Sequence, residues 1–218
     1  MSTIKADAIT ASTGTNTNIA VTGKGSGKVA IGDGTLLFPD ADGSANQYIK
    51  TDGSGNLAFA TLPTAGFTVS AESATTSGST VTISGVPSGT TVIYVMWANL
   101  STNGTGNIGI QIGDSGGVET AGYEASNTEA FASIQANSPT DMFGFITSSI
   151  AANNYDGMAV LTLKDSTNNT WTYMCISSDN STENQIGAGH KSLSGTLTSV
   201  SLFSDNTFDA GDFSISYL

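Results

Sequence analysis

The sequence predicts an all-β protein whose main domain is a β-sandwich or jelly roll. Ser, Thr and Gly provide 29, 31 and 26 of its 218 residues, and no segment longer than two helical turns has helical periodicity. Short runs instead alternate apolar and polar residues, as in strands that bury one face. Turn-forming clusters of Gly, Ser, Asn and Asp separate these runs about every 8–12 residues, which is typical of antiparallel sandwiches.

Residues 1–65 and 66–218 differ in charge, and we expect them to form separate regions. The first region contains four lysines and five acids, whereas the second contains two lysines and 13 acids. Apolar residues in the first region occur in pairs spaced two apart, at Ile19/Val21, Val29/Ile31, Leu36/Phe38 and Leu57/Phe59.

Strands this short cannot support a hydrophobic core of their own. Ordering one residue costs roughly 1–2 kcal/mol of backbone entropy, and a fully buried aliphatic side chain returns only about 1.5–3 kcal/mol. Residues 1–65 are therefore expected to pack against neighbouring copies of the chain or against another protein. A flexible Gly/Ser linker is the alternative for this region.

Residues 66–218 are predicted to form a compact β domain. Its most apolar run, 92–97, is expected to be a central strand that is buried on both faces, with Trp97 in the core. The predicted strands are 67–72, 80–86, 91–100, 107–114, 117–123, 131–135, 142–148, 157–164, 171–178, 197–204 and 213–218.

The charge balance argues against several classes of function. The net charge is −12, with six lysines and no arginine, so a basic patch for the phosphates of a nucleic acid is not expected. No apolar stretch approaches the roughly 20 residues of a membrane-spanning helix, so no membrane insertion is expected. The first residues lack the basic and apolar segments of a secretion signal, and the single cysteine fits synthesis in a reducing cytoplasm.

Residues that usually carry catalysis are scarce, so we expect a protein that is not an enzyme and assign no catalytic residue. Cys175 lies between apolar neighbours and is expected to be buried, rather than paired with His190, the only histidine. The run Gly113-Asp-Ser-Gly-Gly117 resembles the sequence around a serine-protease nucleophile, but the histidine follows it in the chain. A hairpin turn is expected there instead.

Neither a cofactor nor a metal ion is expected. Residues 23–28 (GKGSGK) depart from the spacing of a phosphate-binding loop, because Thr22 and Val29 stand where Gly and Ser or Thr belong. Asp40 and Asp42 could supply calcium ligands, but the spacing of a calcium-binding loop is missing, so a surface turn is expected.

Paired carboxylates, as in enzymes that hydrolyse glycans, remain an alternative because acids are scattered through residues 66–218. Most of these acids lie beside turn-forming residues, so we expect solvated charges at Glu72, Asp141, Asp165, Asp179 and Asp205.

Residues 37–60 contain the pattern P-x-x-D-G-x-x-x-Q-x-I-K-T-D-G-x-G-x-L. This segment resembles one that recurs in fibre proteins of tailed bacteriophages, where it links an N-terminal attachment region to a distal domain. Residues 83–89, 101–105 and 111–123 are similar to the distal β domain of such virion proteins. Together the similarities cover about half of the chain.

The resemblance implies a homotrimeric structural component on the exterior of a virion. Residues 1–65 would attach to other tail or capsid proteins, and residues 66–218 would form the distal domain. A fibre protein whose loops contact a host-surface glycan or protein is the first expectation. Head fibres and capsid decoration trimers use similar modules, so a decoration protein that stabilises the head is the alternative, and a glycan-active enzyme ranks last. The receptor-binding residues stay unassigned.

Overall fold

A computed structural model of the chain describes residues 30–31, 36–39, 43–62, 66–130, 135–181 and 183–218. These residues form 18 β-strands and no helix, so the predicted all-β class is confirmed. Accordingly, the described part of the chain contains no helix that could cross a membrane. The chain divides into two compact units between Ala65 and Gly66, and each unit is described by itself.

The first unit contributes four short strands in two antiparallel pairs. Strand β1 (Ala30–Ile31) pairs with β2 (Leu36–Leu37), and β3 (Gln47–Thr51) pairs with β4 (Leu57–Thr61). The predicted alternation of Leu57 and Phe59 lies in β4. The predicted pair Ile19/Val21 and the residue Val29 lie outside the described residues.

The second unit contains 14 strands in two antiparallel sheets. The large sheet has nine strands in the spatial order β12 (Gln135–Asn137), β11 (Glu124–Ala130), β16 (Asn184–Ser192), β15 (Thr170–Asp179), β14 (Tyr155–Asp165), β8 (Val92–Thr102) and β18 (Phe208–Tyr217), followed by β5 (Thr68–Val69) and β6 (Ser73–Ala74), which both pair with β18. The small sheet has the order β10 (Gly117–Val118), β9 (Ile108–Asp114), β17 (Ser199–Ser204) and β7 (Thr80–Ser84), and β13 (Phe143–Ile146) also pairs with β9.

The hydrophobic core lies between the facing sides of the two sheets. Trp97 of β8 stacks on Phe145 of β13 with ring centroids 4.1 Å apart, and Phe143 stacks on Tyr173 of β15 at 4.7 Å. These aromatic rings belong to one buried cluster that contains side chains from both sheets. The packing confirms the predicted β-sandwich and the core position of Trp97.

Several predicted strand boundaries are wrong. Residues 67–72 do not form one strand, because the chain pairs with β18 only at β5 and β6. The strand predicted at 117–123 ends at Val118, after which Tyr123 turns into the core and its hydroxyl donates to the Glu119 carbonyl at 2.9 Å. The prediction at 131–135 falls largely on residues outside the described ones.

The sequence also missed two long strands of the large sheet, β11 and β16. Strand β16 has glycines at 187 and 189, which read as turn formers in the sequence. In the sheet these glycines allow close packing, because a Cβ at Gly189 would lie 2.5 Å from the Glu124 carbonyl oxygen. Tertiary packing therefore requires residues with low strand propensity at these positions.

Candidate functional site

The hairpin of β3 and β4 contains most of residues 37–60, which carry the pattern P-x-x-D-G-x-x-x-Q-x-I-K-T-D-G-x-G-x-L. Gln47, which the pattern specifies, accepts a hydrogen bond from the Ser44 N–H at 2.7 Å and donates to Thr61 Oγ1 at 3.5 Å. Thr61 is also its partner in the strand pairing. The glutamine of the pattern therefore links the beginning of β3 to the end of β4.

The carboxylate of Asp52 organises the turn between these two strands. Its Oδ1 accepts hydrogen bonds from the N–H groups of Ser54 at 2.8 Å and Asn56 at 3.1 Å, and its Oδ2 accepts one from the Asn56 side chain at 2.7 Å. These bonds, the one from the Asn56 side chain above all, lower the pKa of Asp52 below its usual value. Gly53 and Gly55 have φ of 77° and 89°, which glycine adopts without steric cost. The T-D-G-x-G part of the pattern thus has a structural explanation in this turn.

The hairpin leaves apolar side chains uncovered. Tyr48 and Ile49 are 38% and 46% exposed, and Phe59, directly opposite Ile49, is only half-buried. A two-stranded hairpin is marginally stable at best in water. The described part of the first unit therefore provides no full cover for its own apolar side chains, which is the property expected of a segment that associates.

A second uncovered apolar surface lies on the side of the large sheet that faces away from the small sheet. Residues directly opposite each other on neighbouring strands share one side of a sheet. Two cross-strand rows on β14, β15 and β16 form what we call the apolar face, Met158–Ile176–Ile186 and Val160–Met174–Ala188. These residues line a shallow concavity of about 620 Å³.

The apolar face is strongly exposed. Met174, Ile176 and Ile186 are 63%, 55% and 58% exposed. On the neighbouring strand β8, Tyr94 and Met96 continue the two rows and are half-buried. The expectation that residues 92–97 are buried on both faces is therefore wrong for one face, because nothing in the described residues fully covers it.

Charged side chains lie at the rim of the apolar face. His190, two residues beyond Ala188 on β16, pairs with Glu124 on β11, with Nε2 and Oε1 3.7 Å apart. Asp156 precedes Met158 by two residues on β14 and accepts a hydrogen bond from the Asn99 N–H at 2.8 Å. The six residues of the face are themselves uncharged, so the surface is apolar in its centre and polar at its edge.

Two carboxyls meet at the end of β11 and the beginning of β16, a pair that the sequence did not predict. Glu129 is only 8% exposed. Its burial raises its pKa to about 7, together with a hydrogen bond to Glu183 and the negative charges of Glu183 and Asp179. Glu129 is enclosed by the protein, whereas the acids of a glycosidase must reach the glycan, so its neighbourhood with Glu183 favours a structural role.

The acids that were predicted to be solvated in turns fall mainly at strand ends. Asp165 ends β14, and its Oδ1 accepts the N–H of Thr167 at 2.8 Å. Asp179 ends β15 and accepts the N–H of Ser181 at 2.9 Å and the side-chain amide of Asn153 at 2.7 Å. Both aspartates therefore stabilise turns.

The structure does not bring Cys175 and His190 together. Cys175 is buried, as predicted, and burial raises the pKa of its thiol to about 11. His190 lies opposite Thr172 on the other side of the sheet, three residues along β15 and thus about 10 Å away along the strand. The run 113–117 forms the predicted hairpin turn, in which Asp114 accepts the N–H of Gly116 at 2.7 Å.

In the described ranges, no group of three or more His, Cys, Asp or Glu side chains is arranged to hold a metal ion. The phosphate-loop-like residues 23–28 and the turn at Asp40 and Asp42 lie outside the described residues.

Comparison of the chain with protein-family models, with curated proteins and with solved structures finds no match.

Proposed function

We propose that the chain is a structural component of a tailed-phage virion, a homotrimeric fibre protein displayed on the exterior of the particle. Residues 1–65 attach it to other virion proteins, and residues 66–218 form the distal domain. Contact with a host-surface glycan or protein, where it occurs, is made by loop side chains on this rigid sandwich. The protein is made in the host cytoplasm and acts by binding, without catalysis.

One observation carries the proposal. The segment that resembles phage fibres folds as a hairpin whose pattern residues Gln47, Asp52, Gly53 and Gly55 all have structural roles, while its apolar side stays exposed. A segment of this size buries too little surface to be stable alone, and oligomerisation is the usual remedy. Association with copies of the same segment is therefore the role that its geometry favours.

A glycan-active enzyme is the weaker interpretation. Glu129 and Glu183 are neighbouring acids, and Glu183 contributes to the raised pKa of Glu129. Glu129 is only 8% exposed, so it is poorly placed to reach a glycan. The pair is better explained as part of the packing between β11 and β16.

The proposal is tested on virions purified from cultures that produce the chain. We expect mass spectrometry to find the protein in these particles and immunogold labelling to place it on the tail or its fibres. Labelling of the head surface would favour the decoration protein instead, and absence of the chain from purified particles would contradict both virion roles. Particles from a strain that lacks the gene serve as the labelling control.

A further inference from the structure

We propose that the apolar face of the large sheet is a surface through which copies of this chain associate, so that each face is buried against other copies of the same chain. The inference rests on the self-association in the proposed function and assigns it a surface on the second unit. The hairpin of β3 and β4 belongs to the first unit and does not enter this inference.

The size of the uncovered surface points to a protein partner. Tyr94 and Met96 extend the six residues of the face, and the exposed Phe67 packs edge-on against Tyr94 at 5.1 Å. Together these side chains leave on the order of 500 Å² of apolar surface open, and the largest apolar patches on soluble proteins, which have this size, are often binding sites. A stable protein interface buries about 800 Å² on each partner. The face therefore supplies most of such an interface.

The shape of the surface also favours a protein. The face and its extension cover four neighbouring strands, or roughly 15–20 Å across the sheet at about 4.8 Å per strand. A small apolar ligand is normally enclosed over most of its surface. A ligand of that kind in the shallow concavity would leave much of the face in water, whereas a second sheet packs against such a face along its whole width.

The charge distribution allows a copy of the same chain to bind at the apolar face. The chain carries a net charge of −12, so two copies repel each other at most points of contact. The uncharged centre of the face is a place where two copies can meet without setting carboxylates against each other. The polar side chains, such as His190 and Glu124 with Nε2 and Oε1 3.7 Å apart, lie at its rim.

The core of the sandwich does not need the face for its own stability. Leu161 of β14 and Tyr173 of β15 point inward and are buried. Their chain neighbours Val160 and Met174 point outward and are not buried. Met and Ile at the outward positions thus contribute little to folding of the single chain, and association gives them a role. Methionine is also common at adaptable binding surfaces.

The test measures oxidation of Met174 by hydrogen peroxide in the full-length protein, read by peptide mass spectrometry. We expect Met174 to be oxidised at least tenfold more slowly in the native protein than in the chain unfolded in urea. In the variant Ile186→Lys, whose charge lies in the centre of the face, we expect Met174 to react within about threefold of the unfolded rate. Met142, which is buried in the core, reports folding and should stay slow in both native proteins.

The matched control is Ile150→Lys, which makes the same change at an isoleucine of similar exposure outside the face, and it should keep the protection of Met174. Rapid oxidation of Met174 in the native wild-type protein would overturn the inference. If light scattering showed an assembled wild-type protein with a rapidly oxidised Met174, the copies would be held by another surface, and the proposed virion role would be unaffected. If Met174 were protected but the chain were absent from purified virions, the apolar face would still join copies of the chain, and the proposed virion role would be contradicted.

Discussion

The two faces of the large sheet have similar apolar side chains but different environments. On β8, Ile93 and Val95 point into the sandwich and are fully buried, whereas Tyr94 between them points outward and is only half-buried. The inner face obtains its cover from the small sheet of the same chain. The outer face has no comparable cover within the described residues. Apolar residues on both faces of a strand therefore indicate that both faces need a partner, but not that the same chain provides both.

The largest difference between the faces is expected for truncation of matched isoleucines. Ile215→Ala on the inner face should lower the free energy of unfolding by about 2–5 kcal/mol, because it leaves a cavity in the core. Ile186→Ala on the outer face should cost under about 1 kcal/mol in dilute protein, because its side chain is already largely in water. Urea unfolding of both variants at several protein concentrations measures this. Equal losses at the lowest concentration would show that the outer face is needed for folding of the single chain.

A partly buried ion pair next to the inner face should give the next largest effect. Lys191 Nζ lies 2.5 Å from Glu119 Oε2 and donates to the Ser192 carbonyl at 2.9 Å. Lys191→Ala leaves the partly buried Glu119 without its cation, and we expect a loss of about 2–3 kcal/mol.

The pH dependence of the free energy of unfolding tests whether the effect of Lys191 comes from the charge of Glu119. Burial alone would raise the pKa of Glu119, but the hydrogen bond and charge of Lys191 and the hydrogen bonds of Ser194 outweigh burial and lower it. Because the folded-state pKa lies below the unfolded value, this contribution is present above about pH 4.5 and is lost as the pH falls below it. Thermal unfolding above and below pH 4.5 measures this contribution. It compares the wild type, Lys191→Ala and the double variant Lys191→Met/Glu119→Gln. A double variant as unstable as Lys191→Ala would contradict the assignment to an unpaired charge.

The smallest effect is expected at the edge of the sandwich, at Glu129. Its pKa of about 7 lies above the unfolded value, so the folded state binds the extra proton between about pH 4.5 and 7. The free energy of unfolding should therefore fall by about 1–2 kcal/mol as the pH rises through this range. Glu129→Gln keeps a hydrogen-bonding side chain without the charge and should flatten the dependence. Urea unfolding at pH 5, 6 and 7 measures the free energy of unfolding of the wild type and of Glu129→Gln. If Glu129→Gln kept the pH dependence of the wild type, another group would be responsible for the titration.

The sequence predicted strands best where apolar residues alternate over a long run. Strands β9, β14 and β15 lie close to their predicted bounds for this reason. It failed for β11, whose sequence Glu124–Ala130 contains no large apolar residue, because the pairing of this strand with β16 depends on contacts distant in the chain. Local periodicity does not contain that information.

The two candidate surfaces were predictable to different degrees. The hairpin turn at Asp52–Asn56 follows from local sequence, since the carboxylate, the glycines and the asparagine all act within five residues. The apolar face does not, because a single sequence shows that Met174 and Tyr173 are both apolar but not which of them the small sheet covers. The one available signal is a strand with apolar residues on both faces, such as β8, for which the sequence predicts burial on both faces.

The most direct test of self-association is the native mass in solution, measured by light scattering on the full-length chain and on a chain that begins at Pro63. We expect a trimer for the full-length protein and weaker association after removal of residues 1–62, because the hairpin then no longer contributes. A monomer in both cases would contradict the central claim that this chain completes its apolar surfaces with copies of itself.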